Sequence, residues 1–255
     1  MKISIVTATF NSAKTIKDTI ESVLNQTHQD FEHIIVDGGS RDETMSIVKS
    51  YEAIYNGRLR YISERDDGIY NAMNKGLKMA TGDIVGTLNS DDIFAGNSVL
   101  ESIVKPFADN SLECVFGKLN LVEANNLDKI VRESNSGPYY PKAFWKGWHP
   151  AHPTFYARTK CYQKYGYFNE SLKIASDFEL LFRFLEKNKS KSEFIDKVLV
   201  LQREGGASTR LSGYIKGNLE VVKSFKLNGM RAGIFYIPKR IIPKLINAIR
   251  NKIGI

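Results

Sequence analysis

Asn89-Ser90-Asp91-Asp92 follows directly on the apolar stretch 84–88. Two adjacent carboxylates repel each other and give a strand nothing to pack, so their place at its end needs a reason. Paired acids at a strand end suit a hard divalent cation shared with phosphate, because Mg²⁺ typically takes one or two carboxylates and fills its remaining positions with water and phosphate oxygens. The same residue types also favour a plain strand-to-helix turn. Neither GxxxxGK[ST] nor GxGxxG occurs, and the adjacent glycines of "VDGGSRDE" are wrongly spaced for either, which disfavours P-loop nucleotidases and dinucleotide dehydrogenases. In "GWHPAHPTFY", Pro150 and Pro153 prevent His149 and His152 from forming a helical pair, so there is no helix-borne zinc site. Cys114 and Cys161 are too few for a disulfide framework or a cysteine zinc site and fit a reducing cytosol.

The elements that must carry these residues alternate. "ISIVTATF", "EHIIVDGG", "LRYISERD" and "DIVGTLNSDD" read as buried strands. Between them, "SAKTIKDTIESVLNQT", "RDETMSIVKSYEAIY" and "GIYNAMNKGLKMATG" carry apolar residues at helical spacing. This predicts an α/β fold, a mostly parallel sheet flanked by helices, with ligands at the carboxyl ends of the strands. Thr9, Asn11, Asp37, the stretch 64–67 and the stretch 89–92 are then expected to meet in one crevice. Beyond about residue 100 the pattern loosens. "LECVFGKLNLVEA" reads as strand, 134–155 as a loop over the site, "SDFELLFRFLEKN" as an amphipathic helix and "KVLVLQREGGASTR" as a strand with a glycine-rich loop.

"ISIVTATFNSAKTIKDTIESVLNQTHQDFEHIIVDGGSRDET" and "SERDDGIYNAMNKGLKMATGDIVGTLNSDD" resemble the family 2 glycosyltransferases of GT-A fold, close to the subgroup that builds bacterial surface polysaccharides. The resemblance covers about residues 1–210 and rests on three segments in the right order. It implies an inverting transfer from a nucleotide-diphosphate sugar with Mg²⁺ or Mn²⁺. Asp91 then takes the place of the acid that binds the metal. Asn89 replaces the first acid of a D-x-D-D motif, with Ser90 between them; it keeps an acceptor for a ribose hydroxyl but lacks the charge. Asp92 falls behind the metal or toward the acceptor. Asp37 falls where the family contacts uracil, whose imide N–H an acid accepts, so the donor is expected to be a UDP-sugar. Thr7, Ala8, Thr9 and Asn11 are expected to line the same pocket.

Lys75 is expected to approach the pyrophosphate or pair with Asp67, with an exposed lysine on a solvated helix face as the alternative. His152 is placed near the metal or the leaving phosphate, with packing among Trp148, Phe155 and Tyr156 as the alternative. Asp177 in "IASDFELLF" matches the family's general base. The same residues form a capping box, with Ser176 as N-cap and Glu179 at N3, and the helix dipole lowers the pKa of an acid there. "REGGAS" resembles a loop closing over the donor, with Arg203 available to the diphosphate.

The charge of +8 sits beyond residue 210, where nine Lys and Arg face a single acid, Glu220; the body is neutral, which argues against nucleic acid. The chain thus divides into a glycosyltransferase domain over 1–210 and a basic helical segment over 211–255. One helix is expected at 212–227 with Ile215, Leu219, Val222 and Phe225 on one face. A second stripe, Ile242, Leu245, Ile246, Ile249 and Ile253, suits the inner face of the cytoplasmic membrane. The alternative is a tail packed on the domain or in a homodimer. The acceptor implied by the resemblance is a saccharide or a polyprenyl-diphosphate-linked sugar. Two rival functions are a sugar-phosphate nucleotidyltransferase, whose glycine-rich N-terminal signature is missing, and a non-catalytic membrane scaffold, to which Asn89 gives a foothold.

Overall fold

The computed structural model describes residues 1–133, 137–205, 211–233 and 236. The first half alternates strand and helix: β1 (Ile3–Thr9), α1 (Ile16–Leu24), β2 (Phe31–Asp37), α2 (Thr44–Ser50), α3 (Glu52–Tyr55), β3 (Leu59–Ser63), α4 (Ile69–Met79) and β4 (Ile84–Thr87). The four strands pair in parallel in the order β3-β2-β1-β4. Their alternation sorts two cores. Val6, Ile34, Val36 and Val85 face α4, while Ile3, Ile5, Ile35 and Ile84 pack with Ile16, Ile20 and Val23 of α1. Every residue of β1 and β2 is buried, as a strand covered on both faces requires.

The second half adds β5 (Ile93–Phe94), α5 (Val99–Val104), β6 (Cys114–Glu123), β7 (Asn126–Glu133), β8 (Tyr156–Arg158), α6 (Thr159–Tyr165), α7 (Ser176–Phe182), β9 (Ser192–Arg203) and α8 (Leu211–Leu227). The nine-stranded sheet continues past β4 through β8, β6, β9 and β5, and β7 forms a hairpin on β6. The pairs β4–β8, β6–β8, β6–β7 and β5–β9 are antiparallel, so the sheet is mixed, with its parallel block at the N-terminal end. The sequence pattern did not show β5, β7 or β8, because each is very short or exposed.

α8 belongs to the body. Phe225 is buried, with its ring centroid 4.6 Å from that of Phe182, and Trp145 donates to the carbonyl of Arg231 at 3.0 Å. Part of the segment expected as a separate basic tail, α8, therefore packs into this core. The expected face of α8 also splits: Phe225 is buried, while Ile215 and Leu219 are exposed and Glu220, Val221 and Ser224 turn inward. The stripe at 242–253 lies outside the described residues. Among them, no helix is long and apolar enough to cross a membrane.

Candidate active site

Two cavities open side by side at the carboxyl ends of β1 and β4. The larger, about 1420 Å³, is lined by Ala8, Thr9, Asn11, Asp66, Ser90 and Asp91 among others. The smaller, about 720 Å³, is lined by Tyr70, Trp148, His149, His152, Lys173 and Asp177 among others. Asn89, Gln202, Leu121, Arg132 and Ile69 line both, so the cavities meet at the end of β4.

The turn after β4 is held from several sides. Asn89 donates to Asp92 Oδ2 at 2.8 Å, and Gln202 reaches the same oxygen at 3.4 Å. Asp92 is fully buried and its Oδ1 has no partner; burial, then the charge of Asp91, pushes its pKa up to about 7. Asp91 keeps its carboxylate toward the larger cavity, where burial raises its pKa against the pull of Arg203. Ser90 Oγ meets Ser12 Oγ at 2.9 Å. Arg203 lines the larger cavity, with its guanidinium engaged by Asp18 and by the carbonyls of Asp91 and Ala124. It fixes the backbone of Asp91. The loop residues 206–208 expected to close beside it lie outside the described residues.

A divalent cation fits this corner. A carboxylate destabilised by burial and an orphaned carboxylate oxygen are what a cation would relieve. Among the described residues no group of three His, Cys, Asp or Glu surrounds one point, so phosphate and water would complete the shell. His152 does not join Asp91. It lines the smaller cavity, where its Nε2 lies 3.2 Å from Thr87 Oγ1 and its ring meets Phe168 edge-on, and burial lowers its pKa to about 4.

Ala8, Thr9 and Asn11 line the larger cavity, and the buried Thr9 Oγ1 has no partner. Asn11 sits at φ 50° and accepts from the Arg41 N–H at 2.9 Å, which turns the chain away from β1. Thr7 is elsewhere. Its Oγ1 lies 2.9 Å from His33 Nε2, His33 Nδ1 lies 3.0 Å from Tyr55 Oη, and Tyr55 donates to the carbonyl of Ile20 at 2.8 Å. Since Tyr55 gives its proton to Ile20, it accepts from His33 Nδ1–H, and Nε2 accepts from Thr7. That assignment is the one for a neutral imidazole, which burial favours by lowering the His33 pKa to about 3.

Asp37 also departs from expectation. It is fully buried and takes the N–H of Gly39 at 3.1 Å and of Ser40 at 3.0 Å, the Ser63 hydroxyl at 2.6 Å and the Ser40 hydroxyl. Its acceptors are consumed by the turn after β2. Of the acids between 64 and 67, Asp66 lines the larger cavity, one residue before the expected Asp67, and its Oδ1 accepts the Gly68 N–H at 2.8 Å. A side chain at Gly38 would collide with it, since a Cβ there would stand 2.5 Å from Asp66 Oδ2. Asp67 is exposed and lines neither cavity. Lys75 pairs with Glu64 at 2.6 Å, away from both cavities. Phe10, 60% exposed at the mouth of the larger cavity, was passed over as the last residue of a strand.

Asp177 lies in the first turn of α7 and lines the smaller cavity. The Phe178 N–H reaches its Oδ1 at 2.7 Å and the Tyr70 hydroxyl at 3.5 Å. Burial raises its pKa against the nearby His149 and the hydrogen bonds from Phe178 and Tyr70. The capping box does not form. Ala175 is the N-cap, Ser176 Oγ is buried without a partner, and Glu179 pairs with Arg183 at 2.9 Å and accepts from Asn228 at 2.9 Å.

The order of the strands and helices matches known folds. S. aureus TarS residues 1–349 in complex with UDP aligns with TM-score 0.66 at 22% identity, over 94% of this chain and 68% of that one. Mannosyltransferase PcManGT from Pyrobaculum calidifontis, in complex with GDP-Man and Mn²⁺, aligns with TM-score 0.65 at 19% identity, over 88% of this chain and 63% of that one. These likenesses establish the GT-A fold. Chondroitin synthase of Escherichia coli is 28% identical over 187 residues, which is 72% of this chain and 26% of that protein. The chain spans between 20% and 42% of the length of the first relatives it matches. Residues 4–175 match glycosyl transferase family 2, and over most of its length this chain therefore belongs to that family.

Proposed function

We propose that this glycosyltransferase moves a sugar from a nucleotide-diphosphate donor in the larger cavity to an acceptor hydroxyl in the smaller one, with inversion at the anomeric carbon. One observation carries the reading: Asp91 and Asp177 line separate cavities that meet at Asn89 and Gln202. A donor in one and an acceptor in the other then bring the anomeric carbon to the junction. Asp177 takes the proton of the acceptor hydroxyl as its oxygen bonds to that carbon, and the bond to the diphosphate breaks with its electrons on the phosphate oxygen. A carboxyl pKa raised toward the working pH suits such a base. No covalent enzyme intermediate is needed.

Asp91 would hold Mg²⁺ or Mn²⁺, which when bound neutralises the leaving diphosphate. The N-terminus of α4 opens on the donor cavity at Gly68 and Ile69, with Lys14 and Arg132 on its walls, and all of these favour an anion. In this reading Asp66 rather than Asp37 selects uridine: its Oδ1 accepts the Gly68 N–H at 2.8 Å, and its Oδ2, beside Phe10, would accept the imide N–H. UDP in the TarS structure agrees with this, although GDP-Man in PcManGT means that the fold alone does not choose the base.

The acceptor is a saccharide or a polyprenyl-diphosphate-linked sugar of a cell-surface polysaccharide, made at the inner face of the cytoplasmic membrane. α8 supports this location. Its outward face carries Ile215, Leu219 and Leu227 among Lys216, Lys223 and Lys226, with no acid between them. A screen of nucleotide sugars with Mn²⁺, read by release of nucleoside diphosphate and by product stereochemistry, tests the reading. Release of pyrophosphate, or retention at the anomeric carbon, would overturn it.

A further inference from the structure

Glu220 is the single acid beyond residue 210, and it is buried in a helix whose other charged groups face outward. Its Oε1 takes the Lys173 N–H at 3.0 Å; its Oε2 takes the Ile174 N–H at 2.8 Å and the Ala175 N–H at 2.9 Å. Three successive N–H groups form a concave anion site, here filled from within the protein. Burial works against the charge, but these bonds outweigh it and hold the carboxyl below its ordinary pKa. The contact is close along the helix, since a Cβ at Gly217 would stand 3.1 Å from Ile174 Cγ2.

What Glu220 grips is the lead-in to α7. Lys173, Ile174 and Asp177 line the acceptor cavity, and none of them lines the donor cavity. The Ile174 carbonyl accepts the Tyr70 hydroxyl at 2.8 Å, and that hydroxyl is also within 3.5 Å of Asp177. α7 has no side-chain cap of its own to fix this turn. We infer that Glu220 is a positioning residue for the acceptor side of the site: from α8 it sets the 173–175 backbone, and through it the placement of Asp177 and Tyr70, without touching the donor. This rests on the proposed role of Asp177 as base.

The experiment compares Glu220→Gln and Glu220→Ala with the full-length wild type. It measures transfer rate, acceptor KM, UDP affinity with Mn²⁺, and exchange protection of the amides of 173–175. A glutamine oxygen can keep the Ile174 and Ala175 bonds but turns an NH2 toward the Lys173 N–H, so it holds the turn in part. Glu220→Gln is expected to lower transfer kcat/KM by about ten- to a hundredfold, the weight of one hydrogen bond to a charged group. UDP affinity should stay within about twofold and protection at 173–175 should fall. Glu220→Ala should do the same more strongly; if it fails to fold, the glutamine variant decides alone. Wild-type transfer in Glu220→Gln, or UDP affinity lost in step with transfer, would overturn the inference. If the wild type itself transfers no sugar from any donor, the proposed function fails, and unchanged protection at 173–175 in Glu220→Gln would separately remove the grip of Glu220.

Discussion

The donor and acceptor cavities share a wall and differ in how they are built. The donor cavity is made of strand ends and the turns that follow them: Ala8 to Ser12 after β1, Asp66 and Gly68 after β3, and Asn89 to Asp91 after β4. Each of these positions follows from a parallel strand whose register is set by its neighbours, and the opposite wall comes from Leu121, Ala124, Arg132, Gln202 and Arg203. The acceptor cavity shares Ile69, Asn89, Leu121, Arg132 and Gln202 with it and adds Tyr70 and Met73 of α4, irregular chain between 147 and 153, Lys173 and Ile174 before α7, and Asp177 in its first turn. The stretch 173–177 is held by contacts from distant elements, such as Tyr70 of α4 and Glu220 of α8. The donor cavity is built on the sheet, and what the acceptor cavity adds is assembled against it. Changes at strand ends should therefore act on donor binding, and changes at the acceptor cavity on transfer.

The strongest test of that division is Asp177→Asn. Transfer should fall by about 10²–10⁴-fold, the usual weight of a positioned base, with UDP affinity unchanged. Single-turnover transfer alongside calorimetry reads both, and normal turnover would remove Asp177 from the mechanism. The converse test is Asp91→Ala. Metal-dependent UDP binding should drop by at least about tenfold, since a hydrogen-bonded or paired charge is worth about 1.5–3 kcal/mol, and Asn89→Ala should cost less. Equal affinities in the two variants would break the assignment of the metal to Asp91.

A finer test separates two acids that the sequence did not. Asp66→Asn should weaken UDP by several-fold relative to GDP and leave the melting temperature near wild type. Asp37→Asn should do the reverse. It turns an amide toward the hydroxyls and N–H groups that Asp37 now accepts, with a stability loss of about 1–3 kcal/mol. If Asp37→Asn instead loses UDP binding at unchanged stability, the uracil contact returns to Asp37.

A further test concerns pH. His33 is buried neutral with its pKa held near about 3, well below its ordinary value of 6.5. The unfolded chain therefore binds the proton first as pH falls. The stability that goes with the neutral form is complete above about pH 6.5 and is lost as pH drops toward 3, at up to about 1.4 kcal/mol per pH unit. Thermal unfolding from pH 7 to pH 4 should show this slope, reduced in His33→Gln. An unreduced slope would mean that the Thr7–His33–Tyr55 chain is not the cause.

The sequence by itself determined the parallel block, the crevice at its strand ends and the family. Strands buried on both faces must be apolar throughout, and the helices between them must show a 3.6-residue stripe, so both signals are local and survive without coordinates. It also pointed to Asp91 through paired acids at a strand end, a local feature, and to Asp177 through the family resemblance. Tertiary structure alone decided which neighbouring acid does what. Asp37 ends β2 and Asp66 follows β3, yet Asp37 is taken up by Ser40 and Ser63 while Asp66, which accepts from Gly68, also lines the cavity. Likewise Glu179 reads as a cap but pairs with Arg183, and the turn before α7 is gripped by Glu220, 45 residues from Ala175. A carboxylate takes whichever donors the fold brings within about 3 Å, and that choice is made by contacts far apart in the chain.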